Sequence, residues 1–170
     1  MKLYHATTQR LNNGTIIDVN NFAGDTTSFY QRLNQDQKTV ETYLEQARPT
    51  QYYSRKKAIF LFDDPVYCLY FANQEYPDQK VFVYEVETDN ANGGFPMCLV
   101  QQVYKHLNNK NLIDKIVSEY WQPKKEWCVK EYLASSVTII NKYPDEIRAA
   151  MHYNIDAAQA DQYFPVKCNV

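Results

Sequence analysis

The chain has 170 residues, of which 45% are hydrophobic and 22% charged, and its formal net charge is −2. This length predicts one domain over residues 1–170 with enough chain to bury a core, and the composition excludes a disordered chain. The charge gives no support to broad nucleic-acid binding, which needs a basic surface.

The sequence predicts neither a membrane segment nor a secretory leader. No apolar run approaches the roughly 20 residues that a membrane helix needs, and the first segment, MKLYHATTQRLNNG, lacks the apolar core of a signal peptide. The four cysteines lie 30 or more residues apart and form no C-x-x-C pair. We therefore expect a cytoplasmic protein with free thiols, no metal and no membrane partner.

The first third of the chain combines a strand, a loop and a helical segment. Residues 2–6 predict a strand, and residues 11–28 predict a loop because they are rich in Gly, Asn, Asp and Thr. Apolar side chains recur at helical intervals over residues 29–47, although the polar middle of this segment leaves two shorter helices open. The polar stretch 18–50 is a candidate lid over a site, or the part that determines the specificity of that site.

The middle of the chain carries the clearest local signals. The continuous apolar run AIFLF, residues 58–62, predicts a buried strand. A helix is predicted over residues 65–74, because Asp64 can cap it and proline suits its first position. The valine-rich, alternating segment 81–87 predicts a strand, and residues 88–96 predict a turn-rich loop.

The last third is again mixed. Residues 99–120 predict one or two helices broken around HLNNKN, and residues 126–140 predict two strands joined at Ala134-Ser135-Ser136. Residues 144–160 predict a helix. Strands and helices mix without strict alternation, so the fold class is predicted to be α+β.

Three segments, taken in order, resemble the signature segments of a known superfamily. YHAT is a strand with a polar tip, KKAIFLFDDPVYCLYFAN is a strand, turn and aromatic helix, and VKEYLASSVTII is a strand with Glu131 in an apolar setting. They look like the segments of the ADP-ribosyltransferases, in the histidine–tyrosine–glutamate class of the poly(ADP-ribose) polymerases and diphtheria-type toxins. The resemblance covers most of the chain in order and spacing.

This resemblance implies both a fold and an activity. The implied fold is α+β and ADP-ribosyltransferase-like, with two small packed sheets, antiparallel or mixed, flanking helices and a central NAD cleft. The implied activity is cleavage of the nicotinamide–ribose bond of NAD and transfer of one ADP-ribose to an acceptor. The acceptor can be a protein, a nucleic acid or a small molecule. A toxin or effector of this kind would also have an inhibitory or antitoxin partner protein.

The resemblance also implies roles for individual residues. Glu131 matches the catalytic glutamate, and His5 matches the histidine that bonds the adenosine-side ribose. The resemblance also implies contacts with NAD at five further positions. The Ala6 backbone would read the carboxamide, and Thr7 lies beside it. Phe60, with Phe71 or Tyr70, would pack against the nicotinamide ring. Two of these depart from the family pattern, because Ala6 replaces glycine and Phe60 replaces tyrosine.

The chemistry accounts for these residue types independently. Breaking the nicotinamide–ribose bond develops positive charge on the sugar, as in glycoside hydrolysis. A carboxylate held beside that charge stabilises the transition state. Aromatic walls hold the flat ring, and backbone groups read its amide.

Each residue also has a purely structural interpretation, and two other classes of protein remain open. A strand histidine can be structural, Lys130-Glu131 can be a solvated strand edge, and the aromatic side chains can be core. The alternatives are an inactive transferase-like domain that binds NAD, ADP-ribose or a protein, and an unrelated α+β interaction protein. A cysteine or serine hydrolase is disfavoured, because Cys128 lies in a predicted strand and neither His106 nor His152 has a triad context.

Overall fold

The computed structural model describes residues 1–20, 29–123 and 130–145, and the predicted helix over 144–160 lies almost wholly outside them. No helix within these ranges is long and apolar enough to cross a membrane. The described residues form strands and helices in the following order: β1 (Leu3–Thr7), β2 (Ile16–Asp18), α1 (Phe29–Arg32), α2 (Gln35–Gln46), β3 (Ile59–Phe62), α3 (Pro65–Glu75), β4 (Phe82–Glu87), β5 (Asn92–Pro96), α4 (Met97–Lys105), α5 (Lys110–Tyr120), β6 (Lys130–Ala134) and β7 (Ser136–Lys142).

The seven strands of the described residues form one sheet in the order β2-β7-β4-β1-β3-β6-β5, and every pairing is antiparallel. The α+β class is therefore confirmed, whereas the expectation of two packed sheets is wrong. The pairing of Tyr4 in β1 with Phe62 in β3 joins strands that would otherwise belong to two sheets. This contact is long-range, so local sequence patterns do not reveal it.

The chain itself also links the two halves of the sheet, which are β2-β7-β4-β1 and β3-β6-β5. Strands β6 and β7 are separated by Ser135, yet β6 pairs with β3 and β5 while β7 pairs with β4 and β2. Buried residues from both halves, such as Leu61 and Ile139, belong to one apolar cluster. The two halves of the sheet therefore share this apolar cluster.

Four of the helices support the strands that carry the predicted site. Helix α3 packs against β1, β3 and β4 and buries Cys68, Leu69 and Ala72. Its start is as predicted, since the Asp64 carboxylate accepts a hydrogen bond from the Val66 amide at 2.7 Å. Helices α2, α4 and α5 form a second core with β5 and β6.

Candidate functional site

The three segments that carry the resemblance are neighbours in space, because β1, β3 and β6 are adjacent strands of the sheet. Tyr4 lies opposite Phe62, and Phe62 lies opposite Glu131, so one row of residues crosses all three strands. Adjacent strands are about 4.8 Å apart, which puts the two outer strands of this row roughly 10 Å from each other. This distance suits a site built from both.

A cavity of about 930 Å³ opens beside these strands. The described residues that line it include all seven positions singled out from the sequence: His5, Ala6, Thr7, Phe60, Tyr70, Phe71 and Glu131. Ligand sites typically enclose about 300–1,000 Å³. The cavity therefore has room for a molecule of dinucleotide size.

His5 makes a side-chain hydrogen bond across the boundary between β1 and β3. Its Nδ1 atom lies 3.1 Å from the carbonyl oxygen of Phe60, and because a carbonyl can only accept, Nδ1 carries the proton and donates. Burial lowers the pKa of His5 from its ordinary value of 6.5, against the raising effect of this bond. The neutral ring therefore keeps Nε2 as an acceptor, which suits a hydroxyl group of a ligand.

Ala6 and Thr7 follow on the same strand. Ala6 pairs with Val83 of β4, on the side away from β3. Thr7 is buried, and its hydroxyl oxygen accepts a hydrogen bond from the Gln9 amide at 3.2 Å. The Thr7 side chain thus stabilises the turn that follows β1, in addition to lining the cavity.

An aromatic wall covers the β3 and α3 side of the cavity. The Phe60 ring lies 4.8 Å from that of Phe29, measured between centroids, and the rings are tilted by 59°. Phe71 stacks on Phe62 at 5.0 Å, and Tyr70 meets Phe71 edge-on at 5.5 Å. Such rings suit a flat ligand, since aromatic pairs favour offset or edge contacts.

Glu131 lies in a buried group of four polar side chains, which we call the ion cluster: Glu41, Arg55, Tyr120 and Glu131. Glu131 is 0% exposed and Arg55 is 2% exposed. Arg55 binds both oxygens of Glu41, with Nε–Oε2 at 2.7 Å and Nη2–Oε1 at 2.9 Å. Its Nη1 donates to the Tyr120 hydroxyl at 2.7 Å and contacts Oε1 of Glu131, to which the Tyr120 hydroxyl donates.

The ion cluster has more negative than positive groups. Burial favours the neutral form of Arg55, but the charge and hydrogen bonds of Glu41, together with the effects of Tyr120 and Glu45, outweigh burial and keep the pKa of Arg55 above its usual range. Burial raises the pKa of Tyr120, so its hydroxyl stays protonated. By formal charge the cluster has two carboxylates and one guanidinium, an excess of one negative charge that a cation at the cavity wall would offset.

One atom of the ion cluster has no partner. Oε2 of Glu131 is buried and makes no hydrogen bond with any residue in the described ranges. A buried carboxylate oxygen without a partner is costly, and native proteins keep few of them. Glu131 is among the residues that line the cavity, and Oε2 is its oxygen without a partner in the described residues, although this atom is closed off from solvent.

Basic side chains lie elsewhere on the same cavity, among them Arg32, Lys56 and Lys57. The Arg32 guanidinium is 4.7 Å from the centroid of the Tyr76 ring, and Lys56 Nζ is 4.4 Å from that of Tyr30. These side chains place positive charge on the cavity wall, as Glu131 places negative charge there. Within the described residues, no group of three or more His, Cys, Asp or Glu side chains could hold a metal ion.

Sequence reasoning missed three members of the ion cluster. Arg55 begins the basic run Arg55-Lys56-Lys57, and such a run is typical of a solvated surface. Glu41 had a local signal, because it lies beside Val40 and three residues before Leu44, on the buried face of α2. Tyr120 likewise ends the apolar stripe of α5.

Comparisons with known proteins add no family to this geometry. No protein-family model matches the chain, and no curated protein matches its sequence.

Proposed function

We propose that this protein is a mono-ADP-ribosyltransferase that cleaves the nicotinamide–ribose bond of NAD and transfers ADP-ribose to an acceptor. The observation that carries the proposal is the unpartnered Oε2 of Glu131, in a buried cluster with excess negative charge on the wall of the cavity. Nicotinamide in NAD is cationic, and the sugar becomes cationic as the bond breaks. The cation that develops on the sugar as the bond breaks would be stabilised by this carboxylate.

In the proposed reaction, the bond between ribose C1′ and the nicotinamide ring nitrogen breaks, and both electrons go to that nitrogen. Neutral nicotinamide leaves, and the positive charge passes to the sugar. Glu131 stabilises this oxocarbenium-like state through Oε2. The acceptor then attacks C1′ with an electron pair and loses its proton, so the charge is balanced at every step.

The other residues would bind and orient the dinucleotide. His5 would accept a hydrogen bond from a ribose hydroxyl through Nε2, and the Ala6 backbone would read the carboxamide. Phe60, with Phe71 or Tyr70, would hold the nicotinamide ring. The basic side chains on the cavity wall would face the two phosphates, as charge complementarity requires.

The experiment that tests this proposal measures free nicotinamide after incubating the purified protein with NAD. Glu131→Gln is the matched variant, because it removes the charge and changes the shape little. We expect the variant to lose turnover by about 10²- to 10³-fold, while its dissociation constant for NAD, measured by calorimetry, stays within about twofold. An equal loss of binding and rate would assign Glu131 a structural role and overturn the proposal.

A second candidate is an inactive domain that binds NAD, ADP-ribose or a protein partner without turnover. It is favoured by the complete burial of Glu131 and by the engagement of its Oε1 with Arg55 and Tyr120, as in a structural ion cluster. The same experiment separates the two candidates. Calorimetric binding of NAD without nicotinamide release in the presence of candidate acceptors would establish the second.

A further inference from the structure

We propose that Arg55 and Tyr120 are positioning residues for Glu131, and that Glu41 anchors Arg55 for this purpose. The proposal rests on the proposed function, since it assigns the work of orienting the catalytic carboxylate. It names residues that the resemblance to the ADP-ribosyltransferases did not bring in.

The two oxygens of Glu131 have different surroundings. Oε1 contacts the Arg55 guanidinium and accepts a hydrogen bond from the Tyr120 hydroxyl. Oε2 has no such bond to a residue that the structure describes. Two partners on Oε1 fix the rotation of the carboxylate, and Oε2, although closed off from solvent, is the oxygen that has no partner in the described residues.

The bidentate pair with Glu41 fixes the orientation of Arg55. Its guanidinium is planar and presents its donors in a fixed fork. One side of the fork, Nε and Nη2, is bound by both oxygens of Glu41. Nη1 is thereby directed at Tyr120 and Glu131 and cannot rotate away without breaking the bidentate pair.

Glu41 is itself held in place by helix α2. Its neighbours on α2, Val40 and Leu44, are buried in the core. The helix also holds the segment that leads to Arg55, because the Ser54 hydroxyl donates to Glu45 at 2.9 Å. The position of Glu131 is therefore coupled to α2 through a rigid chain of contacts.

Tyr120 donates a hydrogen bond to Glu131. Its hydroxyl accepts from Arg55 and can then donate only toward Glu131. Its ring packs against Phe95 and Trp121, with centroids 5.4 Å and 4.8 Å away. Removing the hydroxyl would keep this packing, so Tyr120→Phe is expected to fold.

The experiment compares Tyr120→Phe with Tyr132→Phe in the nicotinamide-release assay across a range of pH. Tyr132 is the matched control, because it is the next residue on β6 and points to the opposite face. We expect Tyr120→Phe to lower kcat by about 10- to 100-fold with KM for NAD within about twofold. The acidic limb of kcat should move to higher pH, since the ionised carboxylate loses a donor.

A second readout does not depend on activity. The side-chain carboxyl resonance of Glu131, in protein labelled with ¹³C-glutamate and assigned with Glu131→Gln, is titrated in wild type and in both tyrosine variants. We expect its titration midpoint to rise in Tyr120→Phe and not in Tyr132→Phe. An unchanged midpoint would overturn the positioning role, whereas absence of nicotinamide release by wild type would overturn the proposed function alone.

Discussion

Nδ1 of His5 and the carbonyl oxygen of Phe60 are 3.1 Å apart, and this hydrogen bond links two candidate site residues across the boundary between β1 and β3. The paired register between those strands is confined to Tyr4 and Phe62 in the described residues. The imidazole thus donates a hydrogen bond to a carbonyl oxygen that the pairing of β1 with β3 does not use. It orders one wall of the cavity and fixes the tautomer that leaves Nε2 as an acceptor.

We expect His5→Ala to weaken NAD binding more than it slows the chemical step. The variant loses the acceptor for a ribose hydroxyl, and a single hydrogen bond corresponds to roughly a 5- to 10-fold change in dissociation constant. Calorimetric titration with NAD measures this change. His106→Ala is the control, because His106 caps the end of α4 and is not among the described residues that line the cavity. An unaltered dissociation constant for His5→Ala would remove His5 from the site.

The partial burial of His5 also predicts a pH dependence of stability. The pKa of His5 is lower in the folded protein than its ordinary value of 6.5, so below pH 6.5 the unfolded chain binds a proton before the folded protein does. The free energy of unfolding therefore falls as the pH drops through about 6.5, and the fall ends once the folded imidazole is also protonated. Above pH 6.5 His5 contributes no pH dependence.

His5→Asn tests this effect, because its amide can still donate to the Phe60 carbonyl but does not titrate. Urea unfolding between pH 5 and pH 8 gives the free energy of unfolding of both proteins. We expect the wild type to lose more stability than the variant below pH 6.5. Parallel curves would show that His5 has the same pKa in the folded and unfolded chains.

The ion cluster predicts a large cost for losing its cation. Arg55→Met leaves the carboxylates of Glu41 and Glu131 buried without a cationic partner, and such changes cost about 3–5 kcal/mol. Arg48→Met is the control: Arg48 pairs with Glu45 at 2.8 Å, but its side chain is 24% exposed. The control should cost less than about 1 kcal/mol in urea unfolding. Equal losses for the two variants would mean that Arg55 does not neutralise the buried carboxylates.

Cys68 lines the cavity but is expected to be chemically inert. It is 1% exposed, and burial, together with the charge of Asp64, raises the pKa of its thiol. Since the thiolate is the reactive form, iodoacetamide at pH 8 should leave Cys68 unmodified in the folded protein. Mass spectrometry of the peptide should detect the modification only as urea unfolds the chain. Rapid labelling without urea would make Cys68 a candidate nucleophile.

Local patterns in the sequence predicted the elements that have strong local causes. Helix α3 begins at the Asp64 cap as expected, and the polar segment 29–47 divides into α1 and α2 around the Asn34 cap. The two strands after residue 129 also match, with Ser135 between them. Caps, proline and periodicity act over a few residues, so they are visible in the sequence.

Long-range pairing was not visible in this way. Strand β5, NGGFP, has the composition of a loop and forms because it pairs with β6. Gly93 permits the approach, since a Cβ at that position would lie 2.5 Å from Cδ1 of Tyr132. Strand β2 is likewise a three-residue segment defined by its pairing with β7.

In the candidate site, too, some residues could be predicted from local sequence patterns and others could not. The resemblance singled out His5, Phe60 and Glu131 from three separate segments, and the structure places them around one cavity. It could not supply Glu41, Arg55 and Tyr120, because Tyr120 and Arg55 contact Glu131 from distant positions in the chain and Glu41 reaches it only through Arg55. Such contacts depend on tertiary packing.

The most direct measurement is the crystal structure of the Glu131→Gln variant with NAD, since this variant should bind the dinucleotide without cleaving it. The account predicts the nicotinamide ring against Phe60 with Phe71 or Tyr70, a ribose hydroxyl bonded to His5, and ribose C1′ beside the side chain at position 131. NAD bound outside the cavity, or bound in it with C1′ far from position 131, would contradict the account.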